Sequence, residues 1–358
     1  MAAPSPVRRS PALCLSLLCL ACTHPAHYIT PVPESDPRNF TWTIDTIAVP
    51  GSTSTLMKSI WGTSTHDIYT VGRSDLPGGT MFHYDGTSWR SVPLAASEGG
   101  TIQGDIALSQ VLGLLATDVF ACGGKTPSGS PPGTSAMSLV LHFDGKSWSE
   151  MQVPPGGMLS GIWGSSNDEL WSAGVTGTLI HFLGQTWLAA TFSDTSTFTG
   201  MAGVSANDVY ALSFRSDTGV HDTTFRYLWH WNGGVWAIAD SFPQVSGHAD
   251  RFGTRAVWSL LAVTYTVGQG LFKQAGTAWD QILPPGAGGY FNAVYGRVNS
   301  ALYVVGDAGC VIYMGPTSWY RFDGLTNPSI NYYGAWTDGR EVFIVGNDGM
   351  KTYILHGK

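Results

Sequence analysis

Charged residues are scarce in this chain of 358: only 12% are Asp, Glu, Lys or Arg, about half the roughly 25% usual in soluble domains. That shortage excludes a long coiled coil or a charged helical bundle, which depend on flanking charge pairs. There is no basic excess either. The formal balance is −7, and phosphate binding needs a basic patch, so nucleic acid is not an expected partner. Glutamate occurs only at Glu34, Glu98, Glu150, Glu169 and Glu341, which disfavours the paired-carboxylate chemistry of glycoside hydrolysis. Beyond the leader there is no Cys-x-x-Cys pair, and the chain has no phosphate loop and no Gly-x-Ser-x-Gly elbow in a strand–helix context. No cofactor is implied. A long apolar run is also missing. Leu13–Ala21 is apolar but short of the about 20 residues that span a bilayer.

That short run, preceded by Arg8 and Arg9, reads instead as a signal peptide over residues 1–21. Ala21–Cys22 has the form of a bacterial lipobox end, so lipidation at Cys22 is expected, with plain cleavage nearby or an uncleaved anchor as the alternatives. The usual Leu three residues before the Cys is displaced: Cys19 stands there and Leu18 one place earlier. Cleavage before Cys22 removes Arg8 and Arg9 and leaves a balance of −9. Residues 22–39 carry Pro25, Pro31, Pro33 and Pro37 without an apolar period, a tether by composition. The expected address is therefore export, as a lipoprotein of the outer membrane and cell surface or as a secreted protein.

What the chain has in abundance is glycine and tryptophan, 45 and 14 residues, and both follow a repeat. Ile60-Trp-Gly-Thr-Ser-Thr-His-Asp-Ile-Tyr-Thr-Val-Gly72, then Met81-Phe-His-Tyr-Asp-Gly-Thr-Ser-Trp89, recurs with variation from residues 111, 162, 201, 257, 294 and 335. The closing tryptophans are Trp89, Trp148, Trp187, Trp236, Trp279 and Trp319. The last copy stops before its own, which is supplied from the other end of the chain by Trp42. Each copy holds four strand-like pieces, in the first Ser59–Trp61, Ile68–Val71, Met81–Tyr84 and Ser88–Val92, rich in β-branched and aromatic residues. Asp85-Gly86 and Asp144-Gly145 are hairpin signals. Seven copies of four strands, with a period of roughly 40–50 residues, predict an all-β, seven-bladed β-propeller over residues 40–358. Its ring closes when the N-terminal strand, around residues 40–48, completes the last blade.

The pattern Trp-Gly…Asp-x-Tyr/Trp-x-Val-Gly…His-Tyr/Phe-Asp-Gly-x-x-Trp resembles the WG/DG-W repeat propellers of secreted bacterial proteins, abundant in myxobacteria. It is more distantly similar to Kelch and Asp-box propellers. The resemblance covers roughly residues 40–358 and implies a fold; propellers of this kind serve many roles. The Ser-x-Asp opening of a full Asp-box is absent, and the fifth copy lacks the Asp before its second strand and carries Lys273 in place of His.

Recurring residues read as architecture. His83, His142, His181, His230 and His356 occupy one repeat position. They stand on a ring around the axis, so they cannot converge on one metal, and bonds to backbone within each sheet are expected. Asp67, Asp118 and Asp208, with Glu169 and Glu341, open the second strand and are expected to cap the preceding turn. The closing tryptophans and the inner Trp61, Trp163, Trp258 and Trp336 read as packing, with a sugar-stacking platform at the channel mouth as the alternative. Cys122 and Cys310 fall in blades that are not neighbours, too far apart for a disulfide, and are expected to be buried free thiols. The first-to-second turn, about six residues, and the third-to-fourth hairpin are uniform. The second-to-third loops (Arg73–Thr80, Gly124–Ser138, Ser213–Arg226) and the between-blade loops (Ala95–Asp105, Ile238–Arg255) vary, and both kinds emerge on one face, the expected working face. Its densest polar group is Arg215, Asp217, His221, Asp222 and Arg226 with Asp240, His248, Asp250, Arg251 and Arg255. This is the candidate ligand-binding edge. Within it His221, Asp222, His248 and Asp250 would offer a mixed nitrogen and oxygen metal site, although no compact ligand spacing supports one. The expected function is a monomeric binding or scaffold module for a protein or glycan at the cell envelope. The alternative is a glycan hydrolase or lyase using Asp and His on that face.

Overall fold

Each copy of the repeat folds into one four-stranded antiparallel sheet, and seven such sheets follow in sequence. The computed structural model describes residues 35–190, 195–217, 223–244, 250–260, 263–283, 289–298 and 301–358, the side chains of Asp217 and Val298 excepted. The signal peptide, Cys22 and most of the tether lie outside them, as do His221, Asp222 and His248.

The first strand, β1 (Trp42–Ile47), belongs to the last blade. Blade 1 is β2 (Thr55–Ser64), β3 (Asp67–Ser74), β4 (Met81–Tyr84) and β5 (Trp89–Ser91). Blade 2 is β6 (Asp105–Leu115), β7 (Asp118–Thr126), β8 (Met137–Phe143) and β9 (Trp148–Met151). Blade 3 is β10 (Leu159–Ser166), β11 (Glu169–Gly174), β12 (Leu179–Leu183) and β13 (Trp187–Ala189). Blade 4 is β14 (Thr197–Ser205), β15 (Asp208–Asp217), β16 (Thr223–Trp231) and β17 (Trp236–Gln244). Blade 5 is β18 (Ala256–Leu260), β19 (Val263–Val267), β20 (Leu271–Ala275) and β21 (Ala278–Leu283). Blade 6 is β22 (Phe291–Val298), β23 (Ala301–Gly306), β24 (Val311–Met314) and β25 (Trp319–Arg321). Blade 7 is β26 (Asn331–Thr337), β27 (Val342–Asn347) and β28 (Thr352–Gly357), with β1 paired antiparallel to β28 from Trp42↔Gly357 to Ile47↔Thr352. The N-terminal strand closes the ring as the repeat arithmetic predicts. Each closing Trp stands at or next to the start of its blade's outer strand.

In blade 1 the two inner strands are longer than the sequence suggested, because Gly and polar residues join the ladder, while Met81–Tyr84 falls where expected and the outer strand is shorter. The first-to-second turn shrinks from the expected six residues to two in blades 1 to 4 and four in blade 7. Its cap is a serine rather than the carboxylate: Ser64, Ser166 and Ser205 hydroxyls accept from the backbone N–H of His66, Asp168 and Asn207. Ser213–Arg226, expected as a loop, is largely hairpin. Ser213 to Asp217 pair with Tyr227 to Thr223, and β17 extends beside them. Phe214, Thr224, Phe225 and Tyr227 are strand-forming residue types, and the charged residues between them mask the strand.

Glycine does two jobs besides turning. In blades 1, 2, 3, 6 and 7 a β-bulge interrupts the innermost strand near its start, and Gly72, Gly123, Gly174, Gly306 and Gly346 stand opposite it. A Cβ there would collide with backbone of the innermost strand. At the repeat position of the Trp-Gly glycine, three blades receive an indole. The ring of Trp61 covers Gly113 of blade 2, Trp163 covers Gly203 of blade 4, and Trp336 covers Gly62 of blade 1. The hairpin glycines do turn the chain, with φ of 91° at Gly86 and 86° at Gly145. Between blades the core is continuous. Residues of adjacent sheets share clusters, such as Tyr69 and Val71 with Val119 and Leu141, or Val304 and Ile312 with Tyr265 and Leu271. Low charge follows from this: most second- and third-strand side chains face another sheet and leave water.

Candidate functional site

The recurring histidines find carboxylates, not backbone. The imidazole Nε2–H of His83 donates to Asp67 at 2.7 Å, His142 to Asp118 at 2.6 Å, His181 to Glu169 at 2.5 Å, His230 to Asp208 at 2.8 Å and His356 to Glu341 at 2.6 Å. Each ring lies flat on the aromatic directly across the ladder: Tyr69, Phe120, Trp171, Tyr210 and Phe343, with centroids 3.8 to 4.5 Å apart. Acid, histidine and aromatic form a unit, because the acid sits two residues before the aromatic and the histidine pairs with that aromatic. Blades 5 and 6 lose acid and histidine together: Val263 with Lys273 and Ala301 with Tyr313, across from Tyr265 and Tyr303. The Asp67 carboxyl is held below its usual range, first by His83 and then by the Thr63 hydroxyl. Each pair belongs to a different blade. Among the described residues no group of three or more His, Cys, Asp or Glu could hold a metal ion.

Cys122 and Cys310 are free and buried. Burial pushes the Cys122 thiol up to about 12 and that of Cys310 to about 11, which keeps them out of thiolate chemistry.

The working face is the side where the second-to-third and between-blade connections emerge. There the expected polar edge divides across the blade 4 sheet. Arg215 lies on the blade 3 side, its guanidinium 5.6 Å from the ring centre of Tyr227 and donating to that hydroxyl at 3.1 Å. Arg226 lies on the other side. Its guanidinium is 5.1 Å from the centre of the Phe214 ring and donates twice to Gln244 Oε1, at 3.0 and 2.6 Å. The backbone between blades 4 and 5 brings Asp250 near it. Asp250 is 8% exposed and its Oδ2 has no hydrogen-bond partner among the described residues. Burial raises the Asp250 carboxyl, opposed by the Gln269 backbone N–H and the Arg226 charge. Burial in turn lowers Arg226, opposed by Asp250. Arg251 pairs with Asp240 at 3.0 Å. Arg255 lies 5.4 Å from the Tyr290 ring centre, and that hydroxyl accepts from Gln269 at 2.9 Å.

So Arg226, Asp240, Asp250, Arg251 and Arg255 converge between blades 4 and 5, Arg215 is apart, and only the backbone of Asp217 is described. Of the four proposed metal ligands only Asp250 is described. Phe214, Gln244 and Tyr290 were not foreseen. They back or orient guanidinium groups, and the alternation Phe214-Arg215…Phe225-Arg226 was the available signal.

A concavity of about 340 Å³ opens between blades 1 and 2, lined among others by Tyr69, His83, Pro93, Phe143, Lys146 and Trp148. The connection Val92–Gly104 forms one wall and buries Leu94 and Ile102 in the blade 1–2 core.

These features define a class, the seven-bladed propeller with one uniform and one irregular face. No family model matches the chain, and no curated protein does. Solved propellers match its architecture. YCF48 bound to D1 peptide aligns with 91% of this chain and 98% of its own at 15% identity and a TM-score of 0.62. YCF48 from Cyanidioschyzon merolae aligns over 87% and 98% at 15% and 0.54. The WD40 propeller domain of Doa1 aligns over 88% and 97% at 11% and 0.55. At these identities the likeness is one of fold.

Proposed function

We propose that this protein is an exported, lipid-anchored propeller of the secreted bacterial WG/DG-W type that binds a peptide segment of a partner protein on its loop face. The observation that carries the reading is the group of arginines between blades 4 and 5. Arg226 and Arg255, each set against an aromatic ring, stand at the irregular face with Arg251 beside them. Arginine and tyrosine are among the residue types enriched at the energetic centre of protein interfaces, and an aromatic face holds a guanidinium in place. That a propeller of the same architecture has been solved with a peptide bound supports the class of ligand.

Geometry also suits a tether. The Ser35 backbone N–H donates to the Gly339 carbonyl, in the first-to-second turn of blade 7. Residues 37–39 then make a 3-10 turn capped by Asp36. The chain therefore enters the propeller on the tight-turn face.

The test is selection from a random peptide library and a glycan array in parallel, on the mature chain. Peptides bind, and Arg226→Ala and Arg255→Ala each weaken them about tenfold, about 1.4 kcal/mol. Binding of glycans alone, or turnover of a polysaccharide, would replace this reading with the glycan one. Loss of membrane partition in Cys22→Ala tests the anchor separately.

A further inference from the structure

The innermost strands frame the propeller axis, and their bulges follow a pattern that the polar loops do not show. One residue is extruded near the start of the innermost strand in six blades: Lys58, Ser109, Ser160, Thr199, Asn292 and Tyr333. A bulge re-aims a side chain and recurs beside binding sites. The residues that precede these bulges, Met57, Leu108, Leu159, Phe198, Phe291 and Tyr332, are all buried in the core. The extruded residues are polar in every case and form a ring at the loop-face end of the axis.

Lys58 is the one full charge among these six residues. Its ammonium lies 5.7 Å from the ring centre of Tyr333, the extruded residue of the neighbouring blade. Arg73 stands beside it, paired across the ladder with Leu56. Some basic groups elsewhere are matched: Lys125 with Glu150, Arg90 with Asp85, Arg251 with Asp240 and Arg321 with Asp323. Lys58 and Arg73 form no ion pair among the described residues. Loss of water around the Lys58 ammonium lowers its proton affinity, and the Arg73 charge lowers it further. Two adjacent cations without a counter-charge, in a chain of net charge −7, lose repulsion when an anion arrives. A guanidinium fork beside an ammonium fits a carboxylate, which it can hold through two parallel bonds.

We propose that Lys58, Arg73 and Tyr333 form an axial subsite for a carboxylate of the bound peptide, either an acidic side chain or the C-terminus. This rests on the peptide-binding reading and adds the anchoring group to it.

The probe is N-acetylglutamate, with N-acetylglutamine as the uncharged control and glucuronate and inorganic phosphate as the other sources of charge. The readout is the dimethyl-lysine NMR signal of Lys58 in the reductively methylated mature protein, assigned with Lys58→Met. N-acetylglutamate is expected to shift that signal and N-acetylglutamine to leave it in place. Arg73→Met is expected to weaken the response about tenfold. Peptides selected on the wild type should lose about tenfold in affinity for Lys58→Met and keep it for Lys58→Arg. Equal shifts with acid and amide, or a stronger response to glucuronate or phosphate, overturn the proposal. Selected peptides that bind Lys58→Met unchanged overturn it too, and leave the loop-face reading intact. If no peptide is selected, the peptide reading falls, and the Lys58 response to glucuronate or phosphate then decides whether another anion takes the site.

Discussion

At the scale of the residue, a histidine in this fold is a strut. It lies flat on an aromatic ring and donates to the acid that opens the neighbouring strand, so one substitution disturbs a stack and a hydrogen bond together. Asp67 gives the clearest pH dependence. Its carboxyl is held below the usual range in the folded protein, so its contribution is complete above the unfolded value of about 3.9 and is lost as pH falls through the lower folded value. Asp67→Asn is therefore expected to cost about 1 kcal/mol at neutral pH, near the upper end for partly exposed pairs. Urea unfolding of both proteins down the pH scale should show the gap closing below about pH 4. A gap that widens in acid would show that the aspartate does not act through its charge. The two thiols behave oppositely to reactive cysteines. Peptide mapping after alkylation at pH 8 is expected to leave Cys122 and Cys310 unmodified in the native protein and to find both modified in guanidinium chloride. Labelling of either under native conditions would contradict the burial that raises them.

At the scale of the element, the repeat letters acquire distinct mechanical meanings. The Gly at the Trp-Gly position makes room for the indole of another blade in blades 1, 2 and 4, the Gly of Val-Gly faces a bulge, and the Gly of Asp-Gly makes a left-handed turn. Gly113→Ala places a Cβ inside the Trp61 ring and is expected to destabilise by about 1–3 kcal/mol through overpacking. Gly200, whose Cβ would meet nothing within 4 Å, should accept Ala within about 0.5 kcal/mol. Equal melting temperatures for the two variants would show that the Trp61–Gly113 contact is slack. This division explains what was legible in the sequence. Strand count, blade count and closure were readable because they rest on periodicity, which every copy repeats. The partner of each histidine was not, because the acid lies some twelve to twenty-four residues away and is brought near only by the ladder. The binding edge was half readable. Its charges stood out in the composition, but their side of the sheet depends on strand parity, and a stretch taken for loop carries no parity.

At the scale of the whole molecule, stability depends on a ring sealed by one short strand. β1 supplies Trp42, which meets Phe322 of blade 6 at 5.2 Å, and covers β28, where Ile354 and Leu355 are fully buried. Without it β28 becomes an open edge, the template that propellers avoid by closing. The strand also enters from the tight-turn side, since Trp42 pairs with Gly357 at the end of β28. A pull through the N-terminal segment would thus run along β1 and load its six residue pairs together, in shear. Removing residues 40–47 is expected to lower the melting temperature and to give concentration-dependent oligomers through the bare edge. A synthetic peptide of residues 40–48 should restore the monomer by adding back as a strand. Light scattering with and without that peptide separates the cases. Oligomers that the peptide dissolves place the fault at the β28 edge, whereas a truncated chain that stays monomeric with an unchanged melting temperature would mean that inter-blade packing alone, the Trp61–Gly113 and Trp336–Gly62 contacts among it, holds the ring shut.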